Sequence, residues 1–226
     1  MKIKEPIIKL LTPQNIYTSF KTNEFTNNLY IYNNEENIKI KDIEINSCHF
    51  KNFDFNKVKL ENIEIYDCIF ENCNLANLNF DYKLIHRTIF KNCTLIGTSF
   101  IDSSLKDIKF IESNLQYVNF SGSKLSNILF DNCNLNESSL IETNLKNIEF
   151  NKCTLNKSEI FNTSLKDIDL SSCDIHSIII DNNSIKGMVI DSSQAIDLIN
   201  MLEVKIKWFI YKTFTSQLNI RLTLEH

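Results

Sequence analysis

Glycine and proline are scarce in this chain: its 226 residues include three glycines and two prolines, and the prolines are Pro6 and Pro13. These two residue types usually mark the boundaries between secondary-structure elements. Their scarcity excludes a collagen-like or linker-rich protein and means that other residues form the turns. No apolar run reaches transmembrane length, and the start, MKIKEPIIKLL, is too short for a signal-peptide core. We therefore expect a cytoplasmic protein that makes no membrane contact.

A five-residue period dominates what is present. Every fifth residue from Ile40 to Ile190 is Ile, Leu or Phe, at all 31 positions. Helices and strands repeat every 3.6 and 2 residues, so neither produces this pattern. Within it, Phe recurs at positions 50, 70, 90, 110, 130 and 150, and Leu recurs at 75, 95, 115, 135 and 155. Twenty residues therefore make one coil of four pentapeptides, which predicts an all-β fold, a right-handed quadrilateral parallel β-helix.

Two further steps of the pentapeptide carry a structural prediction. All seven cysteines lie two residues before a central apolar residue, where we expect small reduced fillers, because a straight column of thiols does not converge on a metal ion. The three glycines lie two residues after a central residue, a step that suits a tight corner with an unusual backbone conformation. Asparagine recurs at the same step and is expected to form stacked amide ladders, at positions 52, 62, 72, 92 and 132.

Strings such as CTLIGTSF, SNLQYVNF and CNLNESSL resemble the A(D/N)LXX pattern of the pentapeptide-repeat family over residues 38–191, with Cys, Ser or Thr in place of the usual Ala. The segment SSQAIDLINMLEV, with Lys186-Gly187 before it, is similar to the C-terminus of the Qnr and MfpA quinolone-resistance proteins. This resemblance implies that a helix starting at Gln-Ala closes the β-helix and helps to form a homodimer. Glu203 departs from the pattern, which usually has Gly there to end the helix.

Both ends of a solenoid need caps, because open coils expose unpaired strands and apolar core. We expect a capping helix within residues 192–203, running from about Gln194 to Leu202 and capped by Ser192 or Ser193. The apolar and basic tail, residues 204–223, either packs on its own solenoid or forms the dimer interface. Residues 224–226 are interpreted as an expression-tag remnant. The cap or dimer candidates are Leu198, Met201, Leu202, Val204, Ile206, Trp208 and Phe209.

Residues 1–37 form an N-terminal cap with two alternative structures. Phe20, Phe25 and Tyr30 are in frame with the later repeats, which favours an imperfect first coil. Alternatively, Thr12-Pro13 starts a short helix that covers this end, because proline suits the first helical position.

The residue types present and their spacing predict a non-enzyme without cofactor or metal. The three histidines that belong to the protein, at positions 49, 86 and 176, fall on different faces or distant coils, and no phosphate loop, nucleophile elbow or carboxylate pair is present. Any function must then come from a binding surface. The one irregular cluster is Tyr82, Lys83, His86 and Arg87: Lys83 takes an inward step, so either the backbone bulges there or the lysine stem escapes to solvent.

Two outward columns are candidate partner surfaces. An apolar stripe, interrupted by Lys109, can receive a partner or the protein's own C-terminal tail; it consists of Ile69, Ile89 and Leu129. An acidic column, interrupted by Arg87, consists of Asp67, Asp107 and Asp167.

The Qnr and MfpA resemblance implies a DNA-mimicking rod that binds DNA gyrase or topoisomerase IV and no nucleic acid directly. The length fits, because about 7.75 coils at ~4.8 Å give a rod near ~37 Å. Charge fits less well: residues 38–190 contain 20 acidic and 16 basic residues, a net −4, whereas duplex DNA of that length carries about 22 negative charges. The alternative is a scaffold for protein interactions whose partner is unrelated to DNA enzymes.

Overall fold

The computed structural model describes residues 2–8, 10–16, 18–19, 25–31 and 38–201, and over residues 38–191 the chain winds as a parallel β-solenoid. Paired residues lie twenty apart, as in Ile85 with Leu105 and Phe90 with Phe110, so one coil takes four pentapeptides. The predicted β-helix and its twenty-residue period are confirmed. The strands are β1 Thr12–Pro13, β2 Asn28–Ile31, β3 Ile38–Asn46, β4 His49–Lys51, β5 Val58–Tyr66, β6 Ile69–Glu71, β7 Leu84–Lys91, β8 Ser104–Ile111, β9 Lys124–Asp131, β10 Asn144–Asn151, β11 Glu159–Ile160 and β12 Ile179–Ile180, with a 3₁₀ turn at Phe55–Lys57 and helix α1 at Ser192–Met201.

The central residues of the pentapeptides fill the interior. One face stacks its rings in a continuous column, with centroids 5.1 Å apart between Phe50 and Phe70 and 4.9 Å apart between Phe130 and Phe150. Rings from the opposite face meet this column edge-on, as Phe120 does 6.1 Å from Phe130. Burial of these large apolar side chains is the main stabilising term of the fold.

The corners are formed by residues with left-handed backbone. Among the described residues, every positive φ lies two positions after a central residue, at the three glycines and at residues as large as Tyr117 (φ 60°). Asparagine adopts this conformation at low cost, and its amide can also bond the neighbouring coil, as Asn72 Nδ2 does to Asn52 Oδ1 at 3.0 Å. The predicted corner step is therefore confirmed, and the predicted amide ladder is observed between Asn52 and Asn72.

The step two residues before each central position does more than fill space. Its thiols and hydroxyls donate to the carbonyl of the residue 23 positions earlier, as Cys133 Sγ does to Phe110 O (3.3 Å) and Thr163 Oγ1 does to Leu140 O (2.6 Å). These groups satisfy backbone carbonyls that turn inward at the corners. The pattern of Cys, Ser and Thr is thus a hydrogen-bonding requirement as well as a volume requirement.

Replacing Cys133 with serine should change the free energy of unfolding by less than about 1 kcal/mol, measured by urea denaturation. Serine already stands at the same step one coil earlier, where Ser113 Oγ donates to Phe90 O at 3.3 Å and to Ile111 O at 2.9 Å. The new hydroxyl can bond Phe110 O in the same way. Unfolding of this variant would show that the thiol takes part in a bond that a hydroxyl cannot replace.

The N-terminal end continues the solenoid. Tyr30, in β2, stacks on Phe50 with ring centroids 4.8 Å apart, and its hydroxyl donates to Ser19 Oγ at 2.7 Å. β1 pairs in parallel with β2, which pairs with β4, so Thr12-Pro13 forms a strand and does not itself start a helix. Helical residues follow it at Ile16 and at Thr18 and Ser19. The twenty-residue register therefore reaches back to residue 25, while Phe20 lies outside the described residues.

The C-terminal end is closed by α1. Its N-cap is Asp191 and not either of the two serines: Asp191 Oδ1 accepts from the amides of Ser193 (2.6 Å) and Gln194 (3.0 Å). Gln194 Oε1 accepts from the Asp191 amide in return, at 2.8 Å, which completes a capping box. The other end of this buried amide donates to Leu170 O and Cys173 O, at 2.9 and 2.6 Å. Gln194 therefore joins the helix to the last coils, and Leu198 is buried beside it.

Within the described ranges, no helix is both long and apolar enough to span a membrane.

Candidate functional site

One corner of the solenoid carries a bound chain segment. The Asp67 corner is the column of residues two positions after the central residues of one face: Ser47, Asp67, Arg87, Asp107, Asn127, Asn147 and Asp167. Residues 2–8, the N-terminal segment, lie lengthwise along it. Asp67 Oδ1 accepts from the amide of Ile7 at 2.9 Å, and Asp107 Oδ1 accepts from the amide of Lys4 at 3.2 Å. Ser47 Oγ donates to Ile7 O at 3.1 Å. Two of the three predicted acidic surface residues therefore hold the protein's own chain.

Asp67 forms an ion pair with Arg87 at this corner. Arg87 Nε and Nη2 donate to its two carboxylate oxygens, both at 2.6 Å, and the Asp67 side chain is 8% exposed. Burial alone would raise the pKa of Asp67, but the guanidinium and the amide of Ile7 outweigh it and lower the pKa below its usual value. The carboxylate is thus ionised, paired and covered.

The predicted apolar stripe runs beside this corner. Ile69, Ile89 and Leu129 are each half-buried and lie in register on β6, β7 and β9. Lys109, which interrupts the stripe on β8, forms an ion pair with Glu5 of the N-terminal segment. The segment that reaches the stripe is therefore N-terminal, whereas the predicted tail, residues 204–223, lies outside the described residues.

Past the N-terminal segment the same corner opens into a cavity of about 700 Å³. Lys2 lines this cavity, and so does Asp167, the third predicted acidic residue, which is exposed. Glu149 and Asp169 add two further carboxylates to the lining. Among the described residues, the lining therefore carries three carboxylates and one lysine, and its other members are polar or belong to β10.

The irregular cluster divides between two corners. Tyr82 is 73% exposed on one corner, with φ 60°, whereas His86 and Arg87 lie at the opposite end of the same face. β7 keeps the twenty-residue register with β8 from Leu84 to Lys91, whereas its ladder with β5 is limited to Ile65–Ile85 and Tyr66–His86 and does not include Lys83. The Lys83 stem turns outward, and its Nζ donates to Asn62 Oδ1 at 3.3 Å.

The cysteines and histidines of the described part are arranged for packing. All seven cysteines are buried and unbonded to one another by disulfides, and complete burial raises the pKa of Cys68 well above its usual value. Burial lowers the pKa of His49 in spite of Glu71, whose Oε2 lies 3.1 Å from Nε2. Burial also lowers the pKa of His86, with Arg87 acting in the same direction. All seven thiols are buried, and buried structural cysteines are inert toward an external substrate.

Of the cap and dimer candidates, only Leu198 can be placed. Its side chain is buried at the end of the solenoid. Met201 ends α1, and nothing is described of its side chain. Leu202, Val204, Ile206, Trp208 and Phe209 lie outside the described residues, so the homodimer stays a prediction.

Replacing Arg87 with asparagine should cost about 1–2 kcal/mol of unfolding free energy, measured by urea denaturation, because it removes a bidentate partner from a covered carboxylate. Asparagine already occupies this step at Asn127 and Asn147, so the corner itself tolerates the change. Lys152→Asn is the matched control: it removes an exposed cation at a corner step with φ 50° and should change stability by less than about 0.5 kcal/mol. Equal effects of the two substitutions would contradict the Asp67–Arg87 pairing.

The same variant should alter the acid sensitivity of the protein. The pKa of Asp67 is lower in the folded state than in the unfolded chain, so its contribution is present above the unfolded pKa, about 3.9, and is lost as pH falls through the folded value. Without Arg87 the folded pKa rises toward the unfolded one. Thermal unfolding midpoints measured between pH 5 and pH 2 should therefore fall less steeply in Arg87→Asn than in the wild type; parallel curves would contradict this.

Comparisons with known proteins agree with the geometry of the coils. A model described as "Pentapeptide repeat region" matches residues 63–140, and one described as "Pentapeptide repeats (8 copies)" matches residues 128–167. Among curated protein sequences there is no match.

Solved structures of pentapeptide-repeat proteins also match. A trypsin-treated form of QnrB1, a plasmid-mediated fluoroquinolone resistance protein, is 18% identical with a TM-score of 0.47, covering 80% of this chain and 89% of its own. HetL, involved in heterocyst differentiation regulation in the cyanobacterium Nostoc, is 12% identical with a TM-score of 0.29, covering 78% and 96%. A protein of the Arabidopsis thaliana thylakoid lumen is 20% identical with a TM-score of 0.23, covering 44% and 63%. At these identities the partners of those proteins say nothing about this chain.

Proposed function

We propose that this chain, which belongs to the pentapeptide-repeat family, is a non-catalytic binding module that holds extended protein segments lengthwise against its corners. One observation carries the proposal: residues 2–8 are held in this way by side chains that repeat along the Asp67 corner. Amide donors of Lys4 and Ile7 meet carboxylates two coils apart. A surface that holds one extended chain through a repeating side chain offers the same contact to another.

The chemistry of the described residues supports binding over catalysis. The thiols face the interior and bond backbone carbonyls, and His49 and His86 lie on separate columns with lowered pKa values. No group of three or more His, Cys, Asp or Glu side chains within the described ranges is placed to hold a metal ion. What the solenoid does present is a set of straight outward columns, which suits a scaffold for protein interactions.

A panning experiment tests the proposal. Full-length protein is immobilised and challenged with a phage library of random heptapeptides, and enriched peptides are titrated in solution by fluorescence anisotropy. We expect saturable binding by extended peptides without a helical pattern, because the corner offers carboxylates to backbone amides. The absence of any peptide that binds below about 1 mM would contradict a peptide-binding module.

The type II topoisomerase hypothesis, with its quinolone-resistance phenotype, stays a prediction. The pairing and burial of the acidic residues at the Asp67 corner argue against it. A DNA mimic needs exposed negative charge in place of phosphates. Here Asp67 is paired with Arg87, and Asp107 is 3% exposed. The solenoid as a whole carries a net charge of only −4.

Purified protein at micromolar concentration should therefore leave DNA supercoiling by gyrase unchanged, with or without a quinolone. A solenoid with a net charge of −4 cannot compete electrostatically with duplex DNA for the basic DNA-binding surface of the enzyme. Dose-dependent inhibition of supercoiling, or protection from the quinolone, would replace the scaffold proposal with the mimic.

A further inference from the structure

We infer that the N-terminal segment is an intramolecular competitor for the Asp67 corner. It covers the corner until an extended segment of a partner protein takes its place, and that partner segment carries an acidic side chain that pairs with Lys109. The inference rests on the proposed function and adds to it the state of the free protein and the chemistry of the partner.

The N-terminal segment buries little of itself against the solenoid. None of the side chains of residues 2–8 is buried, and Ile7, an apolar residue, is 60% exposed. Among the described residues, two amide hydrogen bonds, one carbonyl hydrogen bond and one ion pair hold the segment in place. Segments with few buried apolar contacts open locally at a small free-energy cost, without unfolding the rest of the protein. The N-terminal segment can therefore leave the corner while the coils stay folded.

The two carboxylates that hold the segment keep other partners within the solenoid. Arg87 Nε and Nη2 donate to the two carboxylate oxygens of Asp67, both at 2.6 Å. Asn127 Nδ2 donates to Asp107 Oδ1 at 2.9 Å, so this oxygen is bonded whether or not the segment is present. A buried polar group is costly mainly when it is left without any partner. Departure of the segment therefore leaves neither carboxylate unpaired, and the corner is stable in both states.

Lys109 is the group whose pairing depends on the segment. Its ammonium pairs with Glu5, and the described residues provide no second ion pair for it. Its neighbours in register are Ile89 and Leu129, whose side chains have no hydrogen-bond acceptor. The aspartates of the corner accept an amide from any residue except proline, so Lys109 is the contact that selects a sequence. A partner segment should therefore carry Asp or Glu where the N-terminal segment carries Glu5.

Release of the segment should strengthen the binding of the same sequence added as a separate peptide. The probe is fluorescein-labelled, amidated KIKEPII, the sequence of residues 2–8, titrated with full-length protein by fluorescence anisotropy. Ile7→Pro removes the amide that donates to Asp67. We expect this variant to bind the probe at least about tenfold more tightly than the wild type, in which the attached segment competes at an effective concentration in the millimolar range.

Ile3→Pro is the matched control for this substitution. It places proline in the same segment, but within the described part of the chain the Ile3 amide donates to no acceptor. The control variant should therefore bind KIKEPII as weakly as the wild type does.

A charge reversal tests the role of Lys109. In the Ile7→Pro background, KIKEPII should bind at least about threefold more tightly than KIKKPII, which has lysine in place of the glutamate. Adding Lys109→Glu should invert this preference. Glutamate fits this step of the coil, because Glu149 occupies it two coils further on, in register through Leu129.

The outcomes separate this inference from the proposed function. Equal affinity of the wild type and Ile7→Pro for KIKEPII, or no binding to either below about 1 mM, would overturn the inference. If peptides selected from the library still bind both proteins equally well, the binding module stands and the segment is not its competitor. A preference that Lys109→Glu leaves unchanged would overturn the selection of an acidic partner. Tighter binding by Ile7→Pro but not by Ile3→Pro, together with the inverted preference, would establish the inference.

Discussion

Replacing Phe110 with alanine should lower the free energy of unfolding by about 3–5 kcal/mol. The side chain is fully buried and stacks between Phe90 and Phe130, with ring centroids 5.0 and 5.1 Å away. Phe120 meets it edge-on at 6.4 Å. The tube cannot collapse to fill the void, because the backbone ladders on either side fix the width of the coil. Urea denaturation followed by circular dichroism measures the loss.

Phe161→Ala is the matched control for this prediction. Phe161 directly follows a central residue, Ile160, and so points outward, where it is only half-buried. Its truncation should cost about 1 kcal/mol or less. If both phenylalanine substitutions destabilised the protein equally, the assignment of inward and outward steps would be wrong.

Ile128→Asp should destabilise the protein by more than about 4 kcal/mol, enough to unfold it at room temperature. Ile128 is fully buried between Ile108 and Ile148, its partners on the neighbouring coils. A carboxylate there meets neither water nor a cation, so it must either stay protonated or open the coil. Loss of the folded circular-dichroism spectrum and of cooperative thermal unfolding is the expected readout.

The adjacent residue provides the control. Leu129→Asp places the same carboxylate one position further along β9, on the half-buried outward stripe. We expect a loss of about 1 kcal/mol or less, because water still reaches the charge. A folded Ile128→Asp variant as stable as Leu129→Asp would contradict the arrangement of the core.

The five-residue pattern was sufficient to predict the coil, because each step has one fixed direction and any slip would bury polar residues. This is why the corner asparagines, the glycines and the cysteine columns could all be placed from the sequence. The placement of the Lys83 side chain was less certain, because a lysine at an inward step can be accommodated by a bulge or by a long stem that turns outward. The structure shows the stem turning outward toward Asn62.

The contacts at the two ends were harder to predict. The N-terminal segment is held mainly through its backbone amides, and amides leave no trace in side-chain periodicity. Asp67 and Asp107 were correctly grouped on one step, but their ligand is a segment 60 or more residues distant in sequence. The Asp191–Gln194 capping box, by contrast, was readable from its spacing of three residues, although serine appeared the more usual cap.

Amide hydrogen exchange in the N-terminal segment tests the central claim, that this corner binds an extended chain through its repeating aspartates. In the wild type the amides of Ile7 and Lys4 should exchange at least about tenfold more slowly than in an unfolded chain. Asp67→Gly suits the corner conformation and removes the acceptor, so it should reduce the protection of the Ile7 amide more than that of the Lys4 amide. Asp107→Gly should reduce the protection of the Lys4 amide more. Exchange of both wild-type amides at the unfolded rate would contradict the claim.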